Sequence, residues 1–172
     1  DTIPSYTGEL QHHASGCYST ESRVKNGIRR AESNLIAAES YNMLSHIYCD
    51  KPIRNTELRK AWDAVCFCHF HDSMDGCCIK EAHEDTLDML GMAKYTASVI
   101  ENNALQTISW KIDTKDRSLG QPVVIFNPHG FEVTDLVQVN QQFNVVKDAQ
   151  GHSITCQAVM SSSHECYNRP DT

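Results

Sequence analysis

The fold is decided by the stretch STESRVKNGIRRAESNLIAAESYNMLSH, residues 19–46. Its apolar residues recur at steps of three and four, the spacing of one face of an α-helix, and they are Val24, Ile28, Ala31, Leu35 and Ala38. The charged residues fall largely on the opposite side. The pattern predicts one long amphipathic helix, capped by Ser19 or Thr20 and ended before Pro52, which cannot continue a helix.

Two further helices are predicted downstream. The second is capped by Asn55 or Thr56 and runs into residues 69–72, ahead of the turn signal Asp75–Gly76. Its apolar stripe consists of Leu58, Trp62, Val65 and Cys66. The third begins near residues 78–79, and its stripe consists of Ile79, Ala82, Thr86, Met89, Ala93, Ala97 and Ile100. The sequence therefore predicts a three-helix bundle.

After about Gln106 the pattern changes to that of strands. The apolar run 123–126 is followed by the turn formers of 127–130, and period-two alternation covers 133–139. Short apolar runs at 145–146 and 154–159 indicate further strands. We predict an α+β fold, a three-helix bundle followed by an antiparallel β segment, with the boundary in the polar stretch 111–120. A sheet of three or four strands has exposed edges, which indicates that more of the β domain lies outside this chain.

The charge balance and hydropathy exclude two classes of partner. The 172 residues carry 22 acidic and 15 basic side chains, a net charge of −7. Nucleic acids and anionic membrane surfaces favour the opposite balance, and no apolar run approaches the roughly 18 residues of a membrane span. We expect no nucleic-acid partner and no membrane. The opening DTIPSYTGEL has neither an initiator Met nor signal-peptide features, so we expect a processed chain or a piece of a longer one.

The eight cysteines do not have the spacing of a disulfide framework. Cys66, Cys68, Cys77 and Cys78 lie in apolar or helical sequence, where a free thiol behaves as a small hydrophobic group. We interpret the cysteines as reduced thiols of a cytoplasmic protein. The alternative is a zinc site formed by these same four residues, although they include no C-x-x-C pair.

The densest group of chemically active side chains is CHFHDSMDG, residues 68–76. Residues two apart on a helix point about 200° away from each other, so at most one of His69 and His71 can ligate a given metal. His71 is the better placed, because Asp72 follows it where the helix ends, and neutral imidazole suits zinc and similar ions. The alternative, which spacing alone favours, is that His71 caps the helix C terminus or packs in the core.

Other candidate groups have simpler explanations. His12–His13 is expected to be a solvent-facing pair. The acidic residues Glu81, Glu84, Asp85 and Asp88 share one helical face and are expected to form a solvated surface. The sequence has no nucleophile elbow, Walker loop, dinucleotide-binding glycine motif or H-E-x-x-H motif. No complete catalytic constellation is therefore predicted.

Four blocks of the sequence, in order, closely resemble glycoside hydrolase family 38, the α-mannosidases. They are GELQHHASGCYS at 8–19, the helix 25–39 with Arg29, Arg30, Glu32 and Ala37-Ala38-Glu39, Trp62 followed by FHDS at 70–73, and VIFNP at 124–128. The similarity covers nearly the whole chain. It implies a large retaining exo-α-mannosidase that hydrolyses terminal α-linked mannose.

The resemblance also implies a domain organisation and site roles. Residues 1–15 would be the tail of a catalytic domain, 16–110 the three-helix bundle, and 111–172 the start of a C-terminal, β-sandwich-like domain. His71 would ligate an active-site divalent metal, Zn²⁺ or another ion such as Co²⁺, and Asp72 would hydrogen-bond the hydroxyls of the sugar.

The family's nucleophile and its other metal ligands belong to a domain that no block of this chain matches. The resemblance therefore assigns no catalytic residue here, and the expected partners are mannose-containing oligosaccharides or glycosides and the remaining domains of the same enzyme. Gly76-Cys77-Cys78 resembles the bacterial, cytoplasmic-type branch of the family. The role of Glu9 stays open.

Two other functions compete with this hypothesis. One is a stand-alone helical module in which the Cys/His-rich segment 66–78 binds a metal for structure or regulation. The other is a purely structural interaction domain. A self-contained site would bind zinc tightly through several thiolates, whereas one histidine alone would bind it weakly.

Overall fold

The computed structural model describes residues 2–9, 15–115, 117–118, 120–139 and 143–159. The chain forms two compact units, Asp1–Lys111 and Ile112–Thr172. The first is helical, and its elements are a 3₁₀-helix at Ser15–Tyr18 and the α-helices α1 (Ser22–Cys49), α2 (Asn55–Cys68), α3 (His71–Met74) and α4 (Lys80–Ser109). None of the described helices combines the length and apolarity that a membrane crossing requires.

The core of the helical unit lies where α1 and α2 pack on α4. The predicted stripe of α1 is confirmed, since all five of its residues have no exposed surface. The core also contains Leu58, Ala61, Val65 and Cys68 of α2 and Leu90, Ala93, Ala97 and Ile100 of α4. Full burial of a large aliphatic side chain contributes about 1.5–3 kcal/mol, so this interior supplies most of the free energy that holds the helices together.

The start of α1 differs from the prediction. Its N-cap is Glu21, in left-handed backbone geometry with φ 44°, and no side chain caps it. Ser19 and Thr20 precede the N-cap position and do not cap the helix, and their hydroxyls donate instead to carbonyls outside it, Ser19 Oγ to that of Gly16 at 3.1 Å and Thr20 Oγ1 to that of Asp75 at 2.7 Å. Asp50 ends the helix, donating its backbone N–H to the carbonyl of His46.

The second helix is shorter than predicted, ending at Cys68 instead of running through residues 69–72. Phe70 adopts extended backbone geometry, with φ −53° and ψ 135°, which separates α2 from α3. The predicted caps of α2 are also wrong, because Arg54 occupies the N-cap position without a side-chain cap bond.

The buried face of α4 is shifted relative to its predicted stripe. Leu90 and His83 are buried, whereas Ile79 is 70% exposed and Ala82 and Met89 are partly buried. The buried residues are His83, Thr86, Leu90, Ala93, Ala97, Ile100 and Ala104. They follow strictly alternating steps of three and four, which keeps one face of the helix against its neighbours.

The second unit contains one antiparallel strand pair in the described residues, β1 (Val146–Lys147) and β2 (Ser153–Ile154). Val146 pairs with Ile154. A tight turn joins the strands, and Asp148 Oδ1 accepts the backbone N–H groups of Gln150 and His152 at 2.9 and 2.8 Å. These hydrogen bonds, with those from the His152 side chain and from Gly151, lower the pKa of Asp148.

The predicted strands at 123–126 and 133–139 are absent from the described residues. Most of their apolar side chains are exposed, Ile125 by 64% and Val137 by 54%, while Val124 and Phe126 are partly buried. A strand needs a partner for its backbone hydrogen bonds, and the described part of this unit provides none for these two segments. The predicted fold class is nevertheless confirmed as a helical bundle followed by an antiparallel β segment.

Candidate functional site

The predicted site residues lie in the connection between α2 and α4, residues 69–79, which we call the α2–α4 connection. Two 3₁₀-type hydrogen bonds close the end of α2, from the backbone N–H of His69 to the Cys66 carbonyl at 3.2 Å and from that of Phe70 to the Phe67 carbonyl at 3.0 Å. The extended backbone of Phe70 then redirects the chain. His71 and Asp72 therefore open a new helix instead of ending the old one.

The side chain of His69 contacts two helices, α2 and α1. Its Nδ1 lies 2.8 Å from the Val65 carbonyl, and its Nε2 lies 3.0 Å from Oε1 of Glu32 on α1. Both partners are hydrogen-bond acceptors, so each ring nitrogen of His69 faces a group of the protein. A metal requires an unprotonated ring nitrogen, so His69 is engaged in structure rather than available to an ion.

His71 has a different environment. Its side chain is 77% exposed, and its ring lies 4.3 Å from the ring of Phe70, centroid to centroid. Its Nε2 is 3.6 Å from Oδ1 of Asp72, whose side chain is 55% exposed. Within the described part of the chain, the imidazole makes no hydrogen bond. The alternative in which His71 packs in the core is therefore wrong.

The α2–α4 connection is fastened to the segment that precedes α1. Lys25 Nζ donates to the carbonyls of Thr20 at 2.6 Å and Met74 at 2.7 Å, and Thr20 Oγ1 donates to the Asp75 carbonyl. Gly76 has φ +88°, and a Cβ added there would lie 2.7 Å from Thr20 Oγ1. The turn therefore requires glycine both for its backbone geometry and for this close approach.

A cluster of three side chains lies at the same junction. The possible ligand atoms of Cys17, Asp75 and Cys77 all lie within 4.8 Å of one another. Asp75 Oδ1 accepts the backbone N–H of Cys77 at 3.2 Å. A side-chain hydrogen bond to Asp75 and the charge of that carboxylate raise the pKa of the Cys77 thiol to about 11. We call this group the Cys–Asp–Cys cluster.

The cysteines are free thiols throughout the described residues, and Cys166 lies outside them. Their predicted apolar surroundings are correct for Cys68, which is buried with its pKa raised by desolvation. Cys66 lies in a helix, as predicted, but its side chain is exposed, and Cys77 is exposed and outside the helices. The predicted zinc alternative paired Cys77 with Cys66 and Cys68, whereas the cluster joins Cys77 to Cys17, which is 60 positions away in the sequence. No short spacing in the sequence indicates that contact.

The remaining candidates from the sequence fall outside this junction. All four residues of the acidic string on α4 are exposed, and Glu84 lies 3.4 Å from Lys80, in agreement with a solvated surface. Glu9 is exposed. Trp62 donates from Nε1 to Glu39 Oε1 at 2.9 Å while its ring packs against the core. The pair His12–His13 lies outside the described residues.

The exposed pair His71 and Asp72 fits part of a divalent metal site. A neutral imidazole is a ligand for zinc and related ions, and a carboxylate is a ligand for zinc and a hydrogen-bond acceptor for sugar hydroxyls. One residue of each kind fills at most half of a tetrahedral site. Further ligands would have to approach the exposed side of the pair.

A comparison with known protein families identifies the family of this chain. The family model described as "Alpha mannosidase middle domain" matches residues 11–108, more than half of the chain. The chain belongs to the family 38 α-mannosidases. The matched region contains α1, α2, α3 and nearly all of α4, so the helical unit is the α-mannosidase middle domain.

A curated relative gives the same result. Over 86 residues the chain is 29% identical to Alpha-mannosidase G of Dictyostelium discoideum. The alignment covers 49% of this chain and 8% of that relative's length. The α-mannosidase middle domain described here thus corresponds to a small part of the relative.

Proposed function

We propose that this chain works within a retaining, divalent-metal-dependent exo-α-mannosidase that removes terminal α-linked mannose. His71 supplies one ligand to the metal, Zn²⁺ or another ion such as Co²⁺, and Asp72 supplies part of the sugar subsite. The nucleophile lies outside this chain. The observation that carries the proposal is the exposed His71–Asp72 pair on an anchored connection of an α-mannosidase middle domain.

The contrast between the two neighbouring histidines supports this assignment. His69 has hydrogen-bond partners at both ring nitrogens, whereas the His71 ring faces solvent beside a carboxylate. An enzyme that assembles its site from two domains needs ligands at the surface of each, because a buried ligand cannot reach across the interface. His71 meets that requirement and His69 does not.

Each residue has a defined part in the proposed chemistry. The bound metal supplies Lewis-acid polarisation of sugar hydroxyls. His71, as a neutral imidazole, donates a ring-nitrogen lone pair to the ion and helps to fix its position. Asp72 accepts hydrogen bonds from the hydroxyls of the terminal mannose and orients the ring, since binding that strengthens towards the oxocarbenium-like transition state accelerates hydrolysis.

The proposal requires other domains of the same enzyme as partners. We assign residues 1–15 to the end of the catalytic domain, 16–110 to the helical middle domain and 111–172 to the beginning of a β-sandwich-like domain. Ile36, Met43 and Ile47 recur at helical spacing on α1 and are 57%, 45% and 60% exposed, which supports packing against a further domain. The free thiols support a reducing, cytoplasmic location.

The test is hydrolysis of a chromogenic α-mannoside with added zinc or cobalt. The samples are a full-length α-mannosidase containing this chain, its His71→Ala and Asp72→Asn variants, and the 172-residue chain alone. We expect turnover by the full-length enzyme, none by the isolated chain, and a loss of at least about 100-fold for His71→Ala, because removing a ligand costs at least as much as disturbing its supporting shell. Turnover by the isolated chain would contradict the proposal.

His69→Ala is the matched control. It removes the contacts of the His69 ring with the Val65 carbonyl of α2 and with Glu32 of α1, and it should destabilise the protein by about 0.5–1.5 kcal/mol for each hydrogen bond lost. His71→Ala should leave the unfolding midpoint unchanged while it abolishes the response of turnover to added metal. If His71→Ala keeps the full metal response, the ligand assignment is wrong.

A further inference from the structure

The Cys–Asp–Cys cluster is separate from the residues that the proposed function uses. Cys17 lies in the 3₁₀-helix that precedes α1, while Asp75 and Cys77 flank the glycine turn between α3 and α4. Two thiols and a carboxyl therefore meet from segments that are about 60 residues apart in sequence. Cys17 and Asp75 are partly buried, and Cys77 is exposed.

We propose that Cys17, Asp75 and Cys77 bind a thiophilic divalent cation such as Zn²⁺ at a site of their own, separate from the proposed active-site metal. Thiolate sulfur and carboxylate oxygen are both ordinary zinc ligands, and three protein ligands leave a fourth tetrahedral position for water. The exposed edge of the cluster at Cys77 gives the ion a path of entry and room for that water.

The distances suit this geometry. With Zn–S bonds of about 2.3 Å and Zn–O bonds of about 2.0–2.2 Å, the ligand atoms of a tetrahedral zinc lie about 3.5–3.8 Å apart. In the structure the three ligand atoms lie within 4.8 Å of one another, so binding needs a contraction of about 1.3 Å at most.

The charges around the cluster also suit a cation. Each of the three groups becomes an anion when it loses its proton, so the cluster without an ion brings three acidic groups together. Within the described residues, no basic side chain lies within ion-pair distance of Asp75. Lys25, the nearby cation, donates instead to the carbonyls of Thr20 and Met74.

An ion at this position would fix the α2–α4 connection. The backbone of the turn is hydrogen-bonded to the segment that carries the candidate site, from Asp75 N–H to the His71 carbonyl at 3.0 Å and from Cys78 N–H to the Asp72 carbonyl at 3.2 Å. A metal link from Cys17 to Cys77 would close a long loop of the chain and reduce the conformational freedom of the unfolded state. The ion therefore stabilises the backbone that carries His71 and Asp72, although neither of these residues binds it.

The experiment is a Co²⁺ titration of the 172-residue chain, freed of metal by chelation and kept reduced with a non-thiol reductant. We expect one equivalent of Co²⁺ to produce a thiolate-to-cobalt charge-transfer absorption, and Zn²⁺ to displace it. Cys17→Ser and Cys77→Ser should each weaken binding by at least about 100-fold, because each removes a ligand, and Asp75→Asn should also weaken it. Far-ultraviolet circular dichroism checks that each variant keeps its helices.

Two control variants separate this site from its neighbours. Cys66→Ser removes an exposed thiol outside the cluster, and His71→Ala removes the ligand proposed for the active-site metal. Both should keep the charge-transfer absorption and the affinity of the parent chain. Retention of the signal in His71→Ala supports metal binding by the Cys–Asp–Cys cluster even if the mannosidase proposal fails.

Three results would overturn the inference. The first is the absence of charge-transfer absorption in the parent chain, and the second is retention of the full signal by a Cys17→Ser/Cys77→Ser double variant that keeps its helicity. The third is a Cys17–Cys77 disulfide, found by mass spectrometry of non-reduced peptides, together with no metal uptake after reduction. That last result would assign the two thiols to a redox pair instead.

Discussion

The packed interior of the helical unit and the α2–α4 connection are held together in different ways. In the interior, side chains such as Leu35 and Val65 have no exposed surface and contact residues of other helices. In the connection, His71 and Cys77 are exposed, and order depends on a few hydrogen bonds from Thr20 and Lys25. Apolar burial thus sets the stability of this domain, while a small number of polar contacts position its chemistry.

The largest effect should come from the interior. Leu35→Ala removes a fully buried side chain from α1 and leaves a cavity, and we expect a loss of about 2–5 kcal/mol in the free energy of unfolding, measured in urea. The control is Ile36→Ala at the next position, where the side chain is 57% exposed and the loss should stay within about 0.5 kcal/mol. Equal losses at the two positions would contradict the assigned buried face of α1.

A smaller effect is expected in the α2–α4 connection. Gly76→Ala places a Cβ at positive φ and 2.7 Å from Thr20 Oγ1, which should cost about 1–3 kcal/mol of unfolding free energy. Gly91→Ala on α4 is the control, because nothing lies within 4 Å of its added Cβ and alanine is the better helix former. That variant should gain about 0.5–1 kcal/mol. A neutral Gly76→Ala would show that the connection is not fixed by this turn.

The smallest effect concerns two glutamates in different surroundings. A side-chain hydrogen bond from Arg54 lowers the pKa of Glu57, so its contribution to stability is present above its ordinary pKa of about 4.5 and is lost as the pH falls through the lower folded value. Burial raises the pKa of Glu101, so its contribution has the opposite sign and is lost as the pH rises through the folded value. We measure the urea midpoint of each variant relative to the parent at about pH 4 and about pH 7. On going to the higher pH, Glu57→Gln should become more destabilising, whereas Glu101→Gln should become more stabilising. Shifts of the same sign would contradict the two assignments.

The helical unit was largely predictable because helix periodicity is a local signal. The α1 stripe is correct residue by residue, since nearly all the side chains between its apolar members from Val24 to Leu35 are polar. The α4 stripe is partly wrong because His83 is buried while the more apolar Ile79 is exposed. Which of these two residues is buried depends on how α4 packs against α1, and the sequence of α4 alone does not contain that information. The strand predictions failed at 123–126 because a strand also needs a partner, and apolar runs do not provide one.

The candidate site was predictable only in part. That His69 and His71 do not share one ion stays a prediction, and the structure places them apart by ending α2 at Cys68 rather than by their spacing on one helix. The resemblance of the FHDS block to the α-mannosidases selected His71 and Asp72, and their roles stay predictions. The Cys–Asp–Cys cluster could not be foreseen, because Cys17 meets Cys77 only after the helices have packed.

The bonds from Thr20 and Lys25 also bear on how the domain acquires its structure. Thr20 and Asp75 are 55 positions apart, and Lys25 and Met74 are 49 apart. Nearly all of α1 and all of α2 lie between the members of each pair. Contacts that close so long a loop cost much chain entropy, whereas the turns of each helix form locally and fast. We therefore expect the α2–α4 connection to become ordered only after the turns of the individual helices have formed.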